Sequence, residues 1–392
     1  MNRVADQKNE TIKAARALRS RPGLVFLDSV TPGNTGVSLL ASEPDLVLSG
    51  TDWAGLECEL ACRRRNGCPN GAAVGCVDFD GTFHFGFYDH PHRFFHEHGT
   101  WENPPAAFDS SSAEPAGTLD FQPRIAREEF LAMVAAAQEY IVSGDIYQVC
   151  LSHPFEASAD EATAWKFFEH LRRCSPAPYS AFLDLGDFQI ASASPECFLR
   201  MSGRGISTRP IKGTRPRRPD PGHDRRSAQD LLTSPKEIAE LVMITDLERN
   251  DLGQVCEFGS VNVTDLLRLE CFEQVFHLVS TVQGQLREEV SHVRALRECF
   301  PGGSISGAPK KRALEIIREL EPFPRGLYTG AIGYFGYQGK SQFSIAIRTA
   351  VFEAGRASFH AGAGIVADSV PEAEWQETLD KAAGLLMAAG KV

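Results

Sequence analysis

The sequence lacks any run of about 18 consecutive apolar residues. Its start also lacks a basic stretch followed by an apolar core and a small-residue cleavage site, so neither a membrane span nor export is expected. A cytoplasmic protein is the expectation. Net positive charge is missing too, since 40 Lys and Arg stand against 51 Asp and Glu, leaving −11. Nucleic-acid binding normally needs a basic face to neutralise phosphates, so that class is disfavoured. Ten cysteines are present, but no CxxC pair or matching His spacing accompanies Cys58, Cys62 and Cys68, which argues against zinc. Cys150, Cys174, Cys197, Cys271 and Cys299 stand singly among apolar neighbours and read as buried, reduced thiols. No internal repeat is visible.

What is present is the balance of a globular chain: 392 residues, 43% hydrophobic, with 34 Gly and 23 Pro. Residues 24–49 read as apolar runs broken by TPGNTG, a hairpin pattern, and 71–90 continues as strand with a DG turn. Between 91 and 122 the chain turns polar around ENPPAAFDSSSAEPAG, the one internal linker or excursion. REEFLAMVAAAQEYIVSGD then switches to helical period and ends at Gly144. Strands follow at YQVCLSHPFEA, YSAFLDL, FQIASAS and CFLRMSG, with a helix near 161–173. SPKE opens a helix over 235–248 as a capping box with proline at the first helical position. VNVTDLLRL, HLVSTVQGQL, GAIGYFGY, FSIAIRTAVF and ASFHAGAGI read as strands, and 309–320 and the segment from 371 as helices. Strands come in runs rather than alternating with helices, which predicts an α+β fold with large antiparallel sheets.

Two E-x-x-E pairs stand out, Glu237/Glu240 and Glu374/Glu377. Three-residue spacing puts each pair on one helical face, beside apolar residues where an unpaired carboxylate is costly. Together they offer oxygen ligands suited to Mg²⁺, whereas singly each reads as an ordinary helix surface. The glycine-rich turns CFPGGSISGAPK and HAGAGIVADS can hold an anion on backbone N–H groups, or simply turn the chain. His277 and Arg348 read equally as packed or paired residues. Lys212 sits in PIKGT within TRPIKGTRPRR, where four arginines crowd one lysine. It is either one charge of a basic patch that binds anions or nucleic acid, or a reactive amine.

Taken in order, SPECFL, PIKGTRPR, DLERNDLG, HLVSTVQG, FPGGSISGAPK and GAGIVADSVPEAEWQET resemble the chorismate-utilising enzymes. That family includes anthranilate synthase component I, aminodeoxychorismate synthase component I, isochorismate synthases and salicylate synthases. The resemblance is dense over 121–392, the implied catalytic region. The region 1–120, with LDS and SLLASEPD, resembles more loosely the amino-terminal part of the amidotransferase-linked members and is expected to interleave with it. The resemblance implies two large antiparallel sheets packed together, helices outside and a cleft between. It implies Mg²⁺ on Glu240 and Glu377 with Glu237 and Glu374 as partners. Arg348, Tyr328 and the Gly362–Ala363–Gly364 backbone would hold the enolpyruvyl carboxylate of chorismate. Gly213 and Thr214 would line the ring site, His277 and Ser304 would lie near the ring, and Glu196 would be the general acid that protonates the leaving oxygen.

Two positions then separate the members. Isochorismate and salicylate synthases resemble one another in a lysine where this chain has Gln148, so ammonia rather than activated water is the expected nucleophile. Anthranilate synthases resemble PIAGT, whereas aminodeoxychorismate synthases resemble PIKGT and use the lysine as a nucleophile at C2 before ammonia enters at C4. A nucleophilic lysine must be neutral, and Arg209, Arg215 and Arg217 are compatible with that. The resemblance thus implies aminodeoxychorismate synthase component I, with anthranilate synthase component I as the rival. No GxCxG-type nucleophile turn with a distant HxE is present, so ammonia is expected from a separate glutamine amidotransferase. A tryptophan-holding pocket between 27–29 and 176–179 is compatible with either member.

Overall fold

The structure, a computed structural model, describes residues 2–29, 36–65, 68–113, 117–160, 163–272 and 275–390. Most of the TPGNTG turn, the middle of the polar excursion and the first residues of the helix expected from 161 lie outside these.

Strands from both ends of the sequence build two antiparallel sheets, of eleven and ten strands among the described residues, with helices packed against them. The α+β fold follows as the runs of strands predict. In the first sheet Gln148–Ser158, Arg356–Ile365, Thr349–Glu353, Phe188–Ser194, Tyr179–Asp184, Val25–Asp28 and Val37–Ala41 lie side by side in that order. In the second the order is Ile211–Pro216, Val275–Gln285, Gly205–Arg209, Cys197–Ser202, Lys340–Ile345, Ala331–Gly336, Ala72–Val77 and Phe83–Tyr88. Side chains alternate across a strand, so Phe83, Phe85 and Phe87 all enter one core, where Phe85 meets Phe335 and Phe343 at ring distances of 5.4 and 6.2 Å. Phe155 stacks on Phe359 at 4.8 Å in another core under the first sheet.

Two of the places where the chain passes directly between the sheets position the residues of interest. Pro195 and Glu196 link Phe188–Ser194 to Cys197–Ser202, and residues 346–348 link Lys340–Ile345 to Thr349–Glu353. Backbone bonds tie the crossings together: the Ile345 N–H donates to the Glu196 carbonyl at 3.1 Å and the Ala193 N–H to the Arg348 carbonyl at 3.0 Å. Glu196 and Arg348 therefore sit where the sheets meet.

Several local expectations change. The helix Pro235–Gly253 runs past 248, because Glu248, Asp251 and Leu252 continue its buried face. Ser234 caps it by accepting from the Glu237 N–H, but the Glu237 carboxylate turns to Arg215 at 3.3 Å. Half of the capping box is formed. Helices Asn2–Leu18, Trp53–Arg65, Pro221–Leu232 and His292–Cys299 are additional to the sequence reading. The third of these opens on Pro-Gly, which reads as a turn, yet Asp220 caps it through the His223 N–H. Cys271 is exposed rather than buried, since it ends the strand Asn262–Cys271 on the outer side of Val275–Gln285. No helix among the described residues is long and apolar enough to cross a membrane.

Candidate active site

Lys212 owes its position to a β-bulge. Ile211–Pro216 pairs with Val275–Gln285 so that Lys212 faces Leu278 and Thr214 faces His277, leaving Gly213 as the extra residue. Gly213 has φ +72°, and a Cβ there would meet Leu231 at 2.5 Å and Glu237 Oε2 at 2.9 Å, so only glycine fits. Lys212 Nζ lies 3.6 Å from Glu240 Oε2 with both side chains largely covered. The same ammonium acts on Glu377 and Glu196. Across the cleft, a Cβ on Gly364 would stand 3.6 Å from Lys212 Nζ and 2.4 Å from Gln148 Nε2. The bare backbone of that strand is what leaves room for both side chains.

Lysines link the helices that carry the two E-x-x-E pairs. Lys236, on the helix of Glu237 and Glu240, reaches Glu374 Oε1 on Pro371–Ala388 at 3.8 Å, and Lys381 pairs with Glu377 at 2.7 Å. Burial works against the Glu377 charge, yet Lys381, Lys212 and Lys236 hold its carboxyl below the usual range. Glu374 goes the other way, pushed up by burial, although Ser369 donates to its Oε1 at 2.7 Å. Its Oε2 is buried without a hydrogen-bond partner. Among the described residues no three His, Cys, Asp or Glu side chains close on a single metal position. The donor set is nevertheless all carboxylate with one orphaned buried oxygen, which fits a hard cation that binds few carboxylates and keeps its waters.

Glu196, 6% exposed, has its carboxyl pushed up to about 7 by burial. The Ser304 hydrogen bond opposes the rise, Glu248 adds to it by like charge, and Lys212 and the Ile211 N–H oppose it. A carboxyl with that affinity holds its proton near neutrality and can give it up, the requirement for a general acid.

The third group surrounds Arg348. Its φ is +51°, an arrangement that costs about 1–3 kcal/mol for a non-glycine residue and is kept only where the surroundings impose it. Its half-buried guanidinium makes no ion pair with any described carboxylate, and burial lowers its pKa. Such a cation suits an anionic ligand. His277, buried, is pushed down to about 4 by burial and by the Arg348 charge, so its imidazole is neutral, with Nδ1 3.0 Å from Thr214 Oγ1. Tyr328 stacks on His360 at 5.3 Å, and its hydroxyl would stand 2.8 Å from a Cβ on Gly362. Ala363 turns its methyl into the core with Phe130 and Ile317, so Gly362 and Gly364 present the opposite face.

The sequence model of the family described as chorismate binding enzyme matches residues 88–387. The chain belongs to the chorismate binding enzyme family. Among curated relatives, anthranilate synthase component 1 of Thermus thermophilus is 47% identical over 281 residues, 69% of this chain and 59% of that protein. Aminodeoxychorismate synthase component 1 of Salmonella typhimurium is 49% identical over 264 residues, 67% of this chain and 58% of that protein. The chain thus spans a little under three fifths of either relative. The crystal structure of anthranilate synthase component I from Streptococcus pneumoniae superposes with a TM-score of 0.78 at 31% identity, covering 92% of this chain and 94% of that one. MenF, the menaquinone-specific isochorismate synthase of Escherichia coli, shares the fold, with a TM-score of 0.81 at 20% identity over 96% and 90% of the two chains.

In this chorismate binding enzyme the basic patch is spent on local pairs: Arg209 with Glu270, Arg215 with Glu237, and Arg217 with Asp224 at 2.9 Å. The charges nearest Lys212 are carboxylates, so the arginine crowd does not supply the neighbouring cations expected from the sequence. Buried Glu248 and Asp251, with half-buried Lys310, form a further set behind Glu196 and Ser304 that the motifs do not single out. The signal was present, because 237, 240, 244, 248 and 251 follow one helical face. Away from the site, a separate cavity between Leu27–Ser29 and Pro178–Tyr179 is lined by Arg93, Arg200 and Tyr334.

Proposed function

We propose that this chain is the component I subunit of an aminodeoxychorismate synthase, aminating chorismate at C4 with ammonia to give 4-amino-4-deoxychorismate for p-aminobenzoate and folate synthesis. The observation that carries the reading is Lys212, turned by the Gly213 bulge toward Glu240, Glu377 and Glu196. The Lys212 amine forms a bond to C2 while the C4–O bond breaks, and Glu196 delivers the proton that lets the oxygen leave as water. Ammonia then bonds to C4 as the C2–N bond breaks, releasing Lys212. Arg348, Tyr328 and the Gly362–Gly364 backbone orient the enolpyruvyl carboxylate, and neutral His277 with Thr214 packs the ring side. Glu240 and Glu377, with Glu237 and Glu374, would hold Mg²⁺, which would draw charge from a substrate carboxylate and compete with Lys212 for these glutamates. The names of the relatives, each a component 1, support a separate glutamine amidotransferase as the source of ammonia.

A second reading, anthranilate synthase component I, is favoured by the name that most of the similar curated proteins carry. It differs in amination at C2 and loss of pyruvate. Incubation with chorismate, Mg²⁺ and ammonium separates the two. p-Aminobenzoate that forms only after an aminodeoxychorismate lyase is added supports the proposal, and direct appearance of fluorescent anthranilate sinks it.

A further inference from the structure

Behind Glu196 lies a layer that the proposed chemistry leaves without a task. Glu248 is 2% exposed on the helix that also carries Glu237 and Glu240. Its Oε1 accepts the Gly303 N–H at 2.8 Å and its Oε2 the Thr208 hydroxyl at 3.2 Å, and the nearby Ser304 N–H also favours its charge. Gly303–Ile305 is a single 3₁₀ turn, and the Ser304 side chain at its centre lies near enough to the Glu196 carboxyl to favour its charged form. We propose that Glu248 is a positioning residue for Glu196: from behind, it fixes the turn that presents Ser304 to the acid.

The electrostatics support the same assignment. The charged groups facing Glu196 are Glu248 from the helix and Lys212 from the bulged strand, with Ser304 and the Ile211 N–H as dipoles. Burial pushes the Glu248 carboxyl up, while Lys310, the two backbone N–H groups and Thr208 favour its charged form. Lys310 itself bonds Asp251 and the Cys299 carbonyl, so it serves two buried carboxyls at once. A negative Glu248 disfavours a second charge on Glu196, and Ser304 is the donor that lets the charge form once the proton has left. Side-chain packing alone would not require this pairing, since an apolar residue at 248 would leave the Gly303 N–H buried without an acceptor.

The inference rests on Glu196 being the general acid, so the test follows chorismate consumption with Mg²⁺ and ammonium from pH 5 to 9 in Glu248→Gln, Glu248→Asp and Glu196→Gln. Glu248→Gln keeps an acceptor for Gly303 and loses the charge. The fall in kcat on the alkaline side should move about one pH unit lower, with KM for chorismate within about twofold. Glu248→Asp keeps the charge and withdraws it from the turn, so kcat should drop about tenfold with the alkaline fall unmoved. Unchanged profiles in both variants overturn the proposal while leaving Glu196 in place. An unchanged kcat in Glu196→Gln overturns both. If one Glu248 variant does not fold, as judged by circular dichroism, the other still decides.

Discussion

Lys212 Nζ lies 3.6 Å from Glu240 Oε2, so the proposed nucleophile and a proposed metal ligand share one ion pair. The proposed attack on C2 requires Lys212 to leave that carboxylate for the substrate. Lys212→Ala should abolish the covalent chorismate adduct detected by intact-protein mass spectrometry and lower kcat at least a hundredfold. Amination at C4 at an unaltered rate without the adduct would refute the covalent role.

Glu196 links activity and stability to pH. Its carboxyl holds its proton to about pH 7 in the folded chain, against the ordinary 4.5. As an acid it must be protonated, so kcat should fall as pH rises through about 7, and Glu196→Gln should cost about 10²–10⁴ in kcat. The raised folded value also means that stability is fully present below about pH 4.5 and declines until about pH 7, by about 3 kcal/mol. Melting curves should therefore show Glu196→Gln equal to the native chain at pH 5 and more stable at pH 8.

Glu374 tests the cation. Glu374→Gln replaces a buried carboxylate whose Oε2 has no partner. Without divalent ions the variant should melt no lower than the native chain, because a neutral amide is cheaper to bury than a carboxylate. In calorimetric titration with Mg²⁺ its affinity should weaken about tenfold or more. Native affinity for Mg²⁺ in the variant would remove Glu374 from the proposed ligand set.

Arg348 tests the anion end of the cleft. A charge-assisted hydrogen bond is worth about 1.5–3 kcal/mol, so Arg348→Gln should raise KM for chorismate about 10–150-fold. The same change removes a cation that depresses His277, whose imidazole should then titrate above about 4 by NMR. A histidine shift without a KM effect would make Arg348 a structural neighbour of the site.

Much of this was legible in the chain. Alternation in FHFGFY marks a strand with one buried face, and three-residue spacing marks paired glutamates on one side of a helix, because both periods are properties of the local backbone. The order of the motifs, from SPECFL to GAGIVADSVPEAEWQET, carried the family, whereas the bulge at Gly213 in PIKGT came only with the strand register. Partner choice was not legible in the same way. TRPIKGTRPRR reads as one basic patch, yet Glu270, Glu237 and Asp224 take up three of its arginines and Glu240 faces the lysine.

The sequence by itself therefore determined which residues carry charge and which local conformation presents them. Tertiary structure alone decided that Lys212 stands near both Glu240 and Glu377, that Lys236 reaches Glu374, that Glu196 and Arg348 share the seam between the sheets, and that Glu248 stands behind Ser304. The reason is physical: each of these neighbours is far away along the chain, and it is brought close by crossings between sheets and by helix packing, which depend on how the whole core closes.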